Sequence, residues 1–141
     1  MKLRKILLVE DNEGDILLTR EALEHSDKLR QIDVVKNGSE ALKYLEMNSG
    51  KDAAIPDLIF LDINLPKMNG QEVLQFIKKN EQLKYIPVIM LTTSSSHKDI
   101  LSSYMNGANS YITKPVDVNA YMDTISKVVD YWYEISKLPS K

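Results

Sequence analysis

In this 141-residue chain, polar residues that could do chemistry stand at the ends of short apolar runs. Glu10-Asp11 follow the first run, Asp62 the third, Thr92-Thr93-Ser94 the fourth and Lys114-Pro115 the fifth. If the first and third runs are neighbouring strands, Glu10, Asp11 and Asp62 crowd one crevice, flanked by a hydroxyl and an ammonium. Crowded carboxylates repel one another and call for a cation. Oxygen ligands in a small site suit Mg²⁺, which takes one or two carboxylates and keeps several waters. Such a cation beside Asp62 would neutralise an incoming phosphoryl group, and Lys114 could pair with another of its oxygens. Thr92 could donate a hydrogen bond to the third. Asp62 is then a carboxylate nucleophile, forming an acyl phosphate by in-line displacement.

The elements that must position these groups are legible from hydrophobic pattern. Apolar, β-branched runs at 5–9, 32–36, 58–61, 88–91 and 110–113 are flanked by turn signals and read as strands. Their near-continuous hydrophobicity is that of a parallel sheet covered on both faces. Helical stripes lie between them. Ile16, Leu17, Thr19, Arg20, Leu23 and Glu24 form the first, and Ala41, Leu42, Leu45 and Glu46 follow Ser39 as N-cap. Val73, Leu74, Ile77 and Lys78 follow Asn69-Gly70, while Ile100, Leu101, Tyr104 and Met105 stop at Asn106-Gly107. Tyr121, Ile125, Val128, Val129 and Trp132 follow Asp117 as cap. The alternation predicts a three-layer α/β domain with right-handed crossovers. In such open sheets ligands bind beyond the carboxyl ends of the strands, where strand order reverses. No repeat or linker interrupts residues 1–141, which are expected to form one domain. The longest loop is 48–56, and 138–141 reads as a frayed tail.

Composition excludes several classes. Net charge is −2, from 18 Lys and Arg against 20 Asp and Glu, with no cysteine. Disulfides, thiolate metal sites and a cysteine nucleophile are therefore ruled out. A slightly acidic chain lacks the basic stripe of a general nucleic-acid binder. No apolar run approaches the roughly 20 residues of a membrane span. The basic start and short apolar run of 1–9 are cut off by Glu10-Asp11-Asn12-Glu13 before a signal-peptide core forms. A cytoplasmic protein without membrane or nucleic-acid partners is expected.

The set Glu10-Asp11, Asp62, Thr92 and Lys114-Pro115 resembles the receiver domain of two-component response regulators. The strings "ILLVEDN", "PDLIFLDINLPKMNG", "IPVIMLTT" and "GANSYITKP" carry the same resemblance over essentially the whole chain. It implies a flavodoxin-like, doubly wound, five-stranded parallel sheet of order 2-1-3-4-5 with helices on both faces. It implies Asp62 as phosphoacceptor, fed by a histidine kinase or a small acyl phosphate. Glu10, Asp11, Asp62 and the main-chain carbonyl of Asn64 would hold Mg²⁺, with Mn²⁺ as a possible substitute. Thr92 and Lys114 would contact the phosphoryl group, and Thr92 and Tyr111 would form a switch pair. The readout would be the face of the fourth helix, fifth strand and fifth helix. The Lys114–Pro115 bond would be cis. Asn64 and Ser94 would tune the lifetime of the acyl phosphate. Such a protein promotes its own phosphorylation and dephosphorylation but has no external metabolite substrate.

A finer resemblance lies in "TTSSSHKDI", "YITKPVD" and a last helix extended to about residue 137. These look like the stand-alone receivers paired with phytochrome-type histidine kinases. A kinase of that type, or a histidine phosphotransfer protein, would be the partner, and the last helix a homodimer contact. Three consecutive aromatics, Tyr131-Trp132-Tyr133, cannot all face one core, and aromatics are enriched at interfaces. Alternatively they only complete the apolar face of that helix.

Ordinary roles compete at each position. Asp11 and Asp62 could simply cap helices, Thr92 and Tyr111 suit any strand, and Lys114 could be a solvated loop lysine. His25 and His97 lack ligand-spaced partners. A flavin carrier would need a hydroxyl- and glycine-rich phosphate loop after the first strand, and dinucleotide binding a GxGxxG motif. An aspartyl-phosphate phosphatase would need a carboxylate at position 64, which is Asn. Within the resembled family, a phosphate shuttle or sink and a phosphorylation-independent docking module remain as alternatives.

Overall fold

The computed structural model describes residues 4–24, 30–49 and 55–139. His25, most of the 48–56 loop and the last two residues of the tail lie outside them. Strands β1 (Arg4–Val9), β2 (Arg30–Val35), β3 (Leu58–Leu61), β4 (Val88–Thr92) and β5 (Ser110–Thr113) each precede a helix. The helices are α1 (Glu13–Glu24), α2 (Gly38–Asn48), α3 (Gly70–Lys79), α4 (His97–Met105) and α5 (Val118–Asp130). The sheet is parallel throughout, in the order β2-β1-β3-β4-β5.

The strand pleat explains the continuous apolar runs. Leu7, Val9, Ile59, Leu61, Val88 and Met90 share one core with Ala41, Leu45, Val73, Leu74 and Ile77 of α2 and α3. The alternate residues Ile6, Leu8, Leu58, Phe60, Ile89 and Leu91 meet Ile16, Leu23, Tyr121, Ile125 and Val129 of α1 and α5. Each fully buried aliphatic side chain contributes about 1.5–3 kcal/mol, so the three central strands anchor both layers. The edge strand β5 departs from the expected pattern, with half-buried residues up to Ile112 and an exposed Thr113.

Parallel pairing aligns the strand ends. Val9 is level with Leu61, and the ladder continues past both, with the Asp62 amide donating to the Val9 carbonyl at 3.1 Å. The Glu10 amide donates to Val35 at 3.0 Å and the Lys114 amide to Thr92 at 2.7 Å. Glu10, Asp62 and Lys114 therefore leave the sheet at the same edge. Gly70 permits the return of α3 beneath Asp62, because a Cβ there would stand 2.0 Å from the Asp62 carbonyl oxygen.

Helix starts mostly follow short polar side chains. Asn69 caps the Glu72 amide, Ser96 that of Asp99, and Asp117 that of Ala120, the last as the sequence predicts. At α2 the cap is Asn37, bonded to the Glu40 amide, and not Ser39. Asn37 has the extended backbone of a cap and lies two residues earlier, so Ser39 falls inside the first turn. Gly107, at φ 100°, closes α4 as Asn106-Gly107 predicts. Beyond α5 the chain continues as a π-helical turn over Tyr131–Ile135 and becomes extended at Ser136, slightly short of the expected end.

Candidate functional site

The crevice above β1 and β3 contains the predicted carboxylates. Glu10, Asp11 and Asp62 each offer an oxygen, and these oxygens all lie within 4.8 Å of one another. Glu10 is buried at 1% exposure and Asp62 at 7%, while Asp11 faces solvent. Lys114 enters from the loop after β5. Its Nζ donates to Glu10 Oε1 at 2.5 Å, Asp15 Oδ2 at 2.8 Å and Asp62 Oδ2 at 3.2 Å. The other oxygens are also directed: Asn12 N–H donates to Glu10 Oε2 at 3.2 Å, and Asn64 N–H to Asp62 Oδ1 at 3.3 Å.

Electrostatics follow from this crowding. Burial, with the nearby Asp62 charge, pushes Glu10 up to about 7, although Lys114 opposes the shift. For Lys114, burial alone would lower the pKa, but hydrogen bonds to Asp15 and Glu10 and the negative charges of Glu10 and Asp62 outweigh it. Lys114 is therefore held firmly as the ammonium. One fixed cation stands among Glu10, Asp11, Asp15 and Asp62, an excess of negative charge that suits a divalent ion.

Thr92 is fully buried at the end of β4, and its Oγ1 accepts from the Ser94 amide at 3.4 Å. Tyr111 reaches the same loop, donating its hydroxyl to the Ser94 carbonyl at 2.8 Å. Ser94 Oγ donates to Asp99 Oδ2 at 2.5 Å, tying this loop to the first turn of α4. Thr92, Ser94 and Tyr111 thus form one connected cluster beside the carboxylates. Asn64 is exposed next to Asp62.

The expected cis bond before Pro115 needs correction. No cis peptide bond occurs among the described residues, so Lys114–Pro115 is trans. The trans form is the intrinsic preference of such bonds, and Lys114 already meets three carboxylates in it. The apolar stripe of α4 does not face the core: Leu101, Tyr104 and Met105 are exposed, and Ser103 is the buried residue of that helix. Asp15 lies in the site without having been singled out. Its only sequence signal is a carboxylate one helical turn after Asp11, which also reads as an ordinary first-turn acid.

The aromatic triplet lies apart from these groups, on the turn that follows α5. Tyr131 is 49% exposed, whereas Trp132 and Tyr133 pack against the core beneath α1 and α5. Tyr131 meets Trp132 edge-on at 5.4 Å, and the Arg4 guanidinium lies 4.5 Å above the Tyr133 ring. His97 opens α4 as an exposed residue.

Comparison with known proteins places this arrangement. Residues 6–126 match the model of the response regulator receiver domain. The chain belongs to that family. It is 38% identical over 134 residues to the probable methanogenesis regulatory protein FilR2 of Methanothrix harundinacea, covering 95% of this chain and 86% of that protein. It is 37% identical over 136 residues to the response regulator Rcp1 of Synechocystis, covering 96% and 92%. The crystal structure of the phosphorylated cyanobacterial phytochrome response regulator RcpA superposes with a TM-score of 0.90 at 42% identity, over 97% of this chain and 99% of that one. The Mn²⁺-bound form of Rcp1 gives 0.89 at 36% identity, over 97% and 99%.

This receiver domain is accordingly a response regulator of two-component signalling, with the flavodoxin-like strand order of its structural neighbours. Receiver domains are signalling proteins that work with histidine kinases or phosphotransfer proteins and have no metabolite substrate. The family binds a divalent metal, and the cluster of Glu10, Asp11 and Asp62 is a fitting set of hard oxygen donors for one. Among the described residues, no helix is long and apolar enough to cross a membrane.

Proposed function

We propose that this receiver domain acts as a cytoplasmic response regulator that accepts a phosphoryl group on Asp62. The observation that carries this reading is the placement of Asp62, with Oδ2 on Lys114 and with Glu10 and Asp11 oxygens close by. A carboxylate oxygen of Asp62 attacks the phosphorus of a histidine phosphate or small acyl phosphate. The new P–O bond forms as the donor's P–N or P–O bond breaks, and the leaving group departs in line. Lys114 supplies a fixed N–H to one phosphoryl oxygen, and the Thr92 hydroxyl supplies another. Glu10, Asp11, Asp62 and the Asn64 carbonyl would hold Mg²⁺, or Mn²⁺ in its place, which when bound offsets the negative charge of the phosphoryl oxygens. RcpA, 42% identical to this chain, is a cyanobacterial phytochrome response regulator, and that likeness supports a phytochrome-type histidine kinase as the donor.

Movement of Thr92 toward the phosphoryl group would loosen the Ser94 loop, release the Tyr111 hydroxyl and alter the face of α4, β5 and α5. Side chains at Asn64 and Ser94 border this path and would set the lifetime of the acyl phosphate. The exposed Tyr131 ring, flanked by Trp132 and Tyr133, supports a homodimer contact beyond α5.

Intact-mass analysis after treatment with acetyl phosphate tests the reading. A single added phosphate that requires Mg²⁺ and is lost in Asp62→Asn is expected. The same added mass on Asp62→Asn would overturn Asp62 as acceptor. A shift in size-exclusion elution with beryllofluoride is expected if activation drives dimerisation; an unchanged elution would contradict that part.

A further inference from the structure

We propose that Asp15 is a positioning residue for the reaction at Asp62, acting as a tether that holds the Lys114 ammonium on the α1 side of the crevice. The proposal rests on the reading of Asp62 as phosphoacceptor. A lysine ammonium has three N–H donors, and here each has a carboxylate: Glu10 at 2.5 Å, Asp15 at 2.8 Å and Asp62 at 3.2 Å. The bond to the nucleophile is the longest. Asp15 is thus closer to Lys114 than the residue that Lys114 is meant to serve.

The tether is itself fixed at both ends of its peptide unit. The Asp15 amide donates to Asn12 Oδ1 at 2.9 Å, and its carbonyl accepts from Thr19 Oγ1 at 2.8 Å. The Thr19 hydroxyl in turn pairs with the buried Tyr121 hydroxyl of α5 at 3.2 Å. Asp15 therefore projects from a backbone anchored to two helices, whereas Lys114 reaches in on a long flexible stem.

Two consequences follow. Before reaction, a third acceptor spares Asp62 from closing into a tight pair with Lys114, which would occupy a nucleophilic lone pair. After reaction, one Lys114 N–H passes from Asp62 to a phosphoryl oxygen while Glu10 and Asp15 keep Nζ in place. Without Asp15, two carboxylates face three donors on a lysine side chain only 5% exposed, and Asp62 is drawn in. A first-turn acid that merely complements the partial charge of the helix end would do neither.

The test compares wild type, Asp15→Ala and Asp15→Asn with acetyl phosphate and Mg²⁺, following phosphorylation by intact mass across donor concentrations. The Lys114 ammonium resonance is recorded separately by ¹H–¹⁵N NMR on metal-free protein. Asp15→Ala is expected to lower the maximal rate about 10-fold, the weight of one charge-assisted hydrogen bond, with little change in half-saturating donor concentration. The ammonium resonance should weaken or shift. Asp15→Asn, which keeps an acceptor without the charge, should fall between on both readouts and decides alone if the alanine variant melts early. An unchanged rate with a perturbed resonance, or a slowed rate with an unperturbed one, would overturn the tether. Absence of phosphorylation in wild type would instead overturn the role of Asp62.

Discussion

Helices α3 and α4 follow one another along the same face of the sheet, yet they are attached to the molecule by different forces. α3 buries Val73, Leu74 and Ile77 completely and brings Gly70 against the backbone of Asp62. In α4 the buried residue is Ser103, while Met105 is 78% exposed. The two helices are joined by a polar ladder. Gln71 Nε2 donates to Ser103 Oγ at 2.9 Å, Asn106 Nδ2 to Gln71 Oε1 at 3.0 Å, and Gln75 Nε2 to Asn106 Oδ1 at 3.2 Å. Apolar burial is lost outright when a helix moves, but such hydrogen bonds exchange with water at a net cost of only about 0.5–1.5 kcal/mol each. The difference lies in what holds each helix: α3 is fixed by apolar burial beneath Asp62, and α4 is joined to α3 by hydrogen bonds that water can replace. On the proposed function, α4 is the element that a change at Ser94 displaces.

This contrast can be broken by substitution. The largest effect should come from Leu74→Ala in α3, which removes a fully buried side chain and is expected to cost about 2–5 kcal/mol in urea denaturation. Gly70→Ala comes next, at about 1–3 kcal/mol, and should also slow phosphorylation because its Cβ displaces the Asp62 backbone. A Gly70→Ala protein with wild-type stability and rate would show that this close approach is dispensable.

In α4 the effects should be smaller. Gln71→Ala cuts the ladder and is expected to cost about 1 kcal/mol. It should raise amide hydrogen exchange in α4 while leaving α3 protected; equal acceleration in both helices would deny their independence. Leu101→Ala should change stability by no more than about 0.5 kcal/mol, as for an exposed surface position. A loss as large as that of Leu74→Ala would mean that α4 is packed as α3 is.

The same contrast explains what could be read from sequence. β3, residues 6–9 of β1 and residues 88–91 of β4 are unbroken apolar runs because both their faces are covered, and the polar residues that follow them are Glu10, Asp11, Asp62 and Thr92. Periodicity also found α4, but not its orientation. Ile100, Leu101, Tyr104 and Met105 make a helical stripe whether the partner is a core or solvent, and only the polar ladder decides which. Asn37 and Ser39 are equally competent caps two residues apart; the choice falls to tertiary packing, because Gly38 lies directly against the Met68 carbonyl. Asp15 was illegible for a related reason. Its significance lies in an ammonium 99 residues away, and local pattern cannot report where Lys114 ends.

The most direct test of the central claim, phosphoryl transfer to Asp62, is borohydride reduction of the phosphorylated protein followed by peptide mass spectrometry. Reduction of an acyl phosphate converts the modified aspartate to homoserine. Homoserine at position 62 alone is the predicted result. Homoserine at Asp11, Asp15 or another carboxylate, with Asp62 intact, would contradict the account.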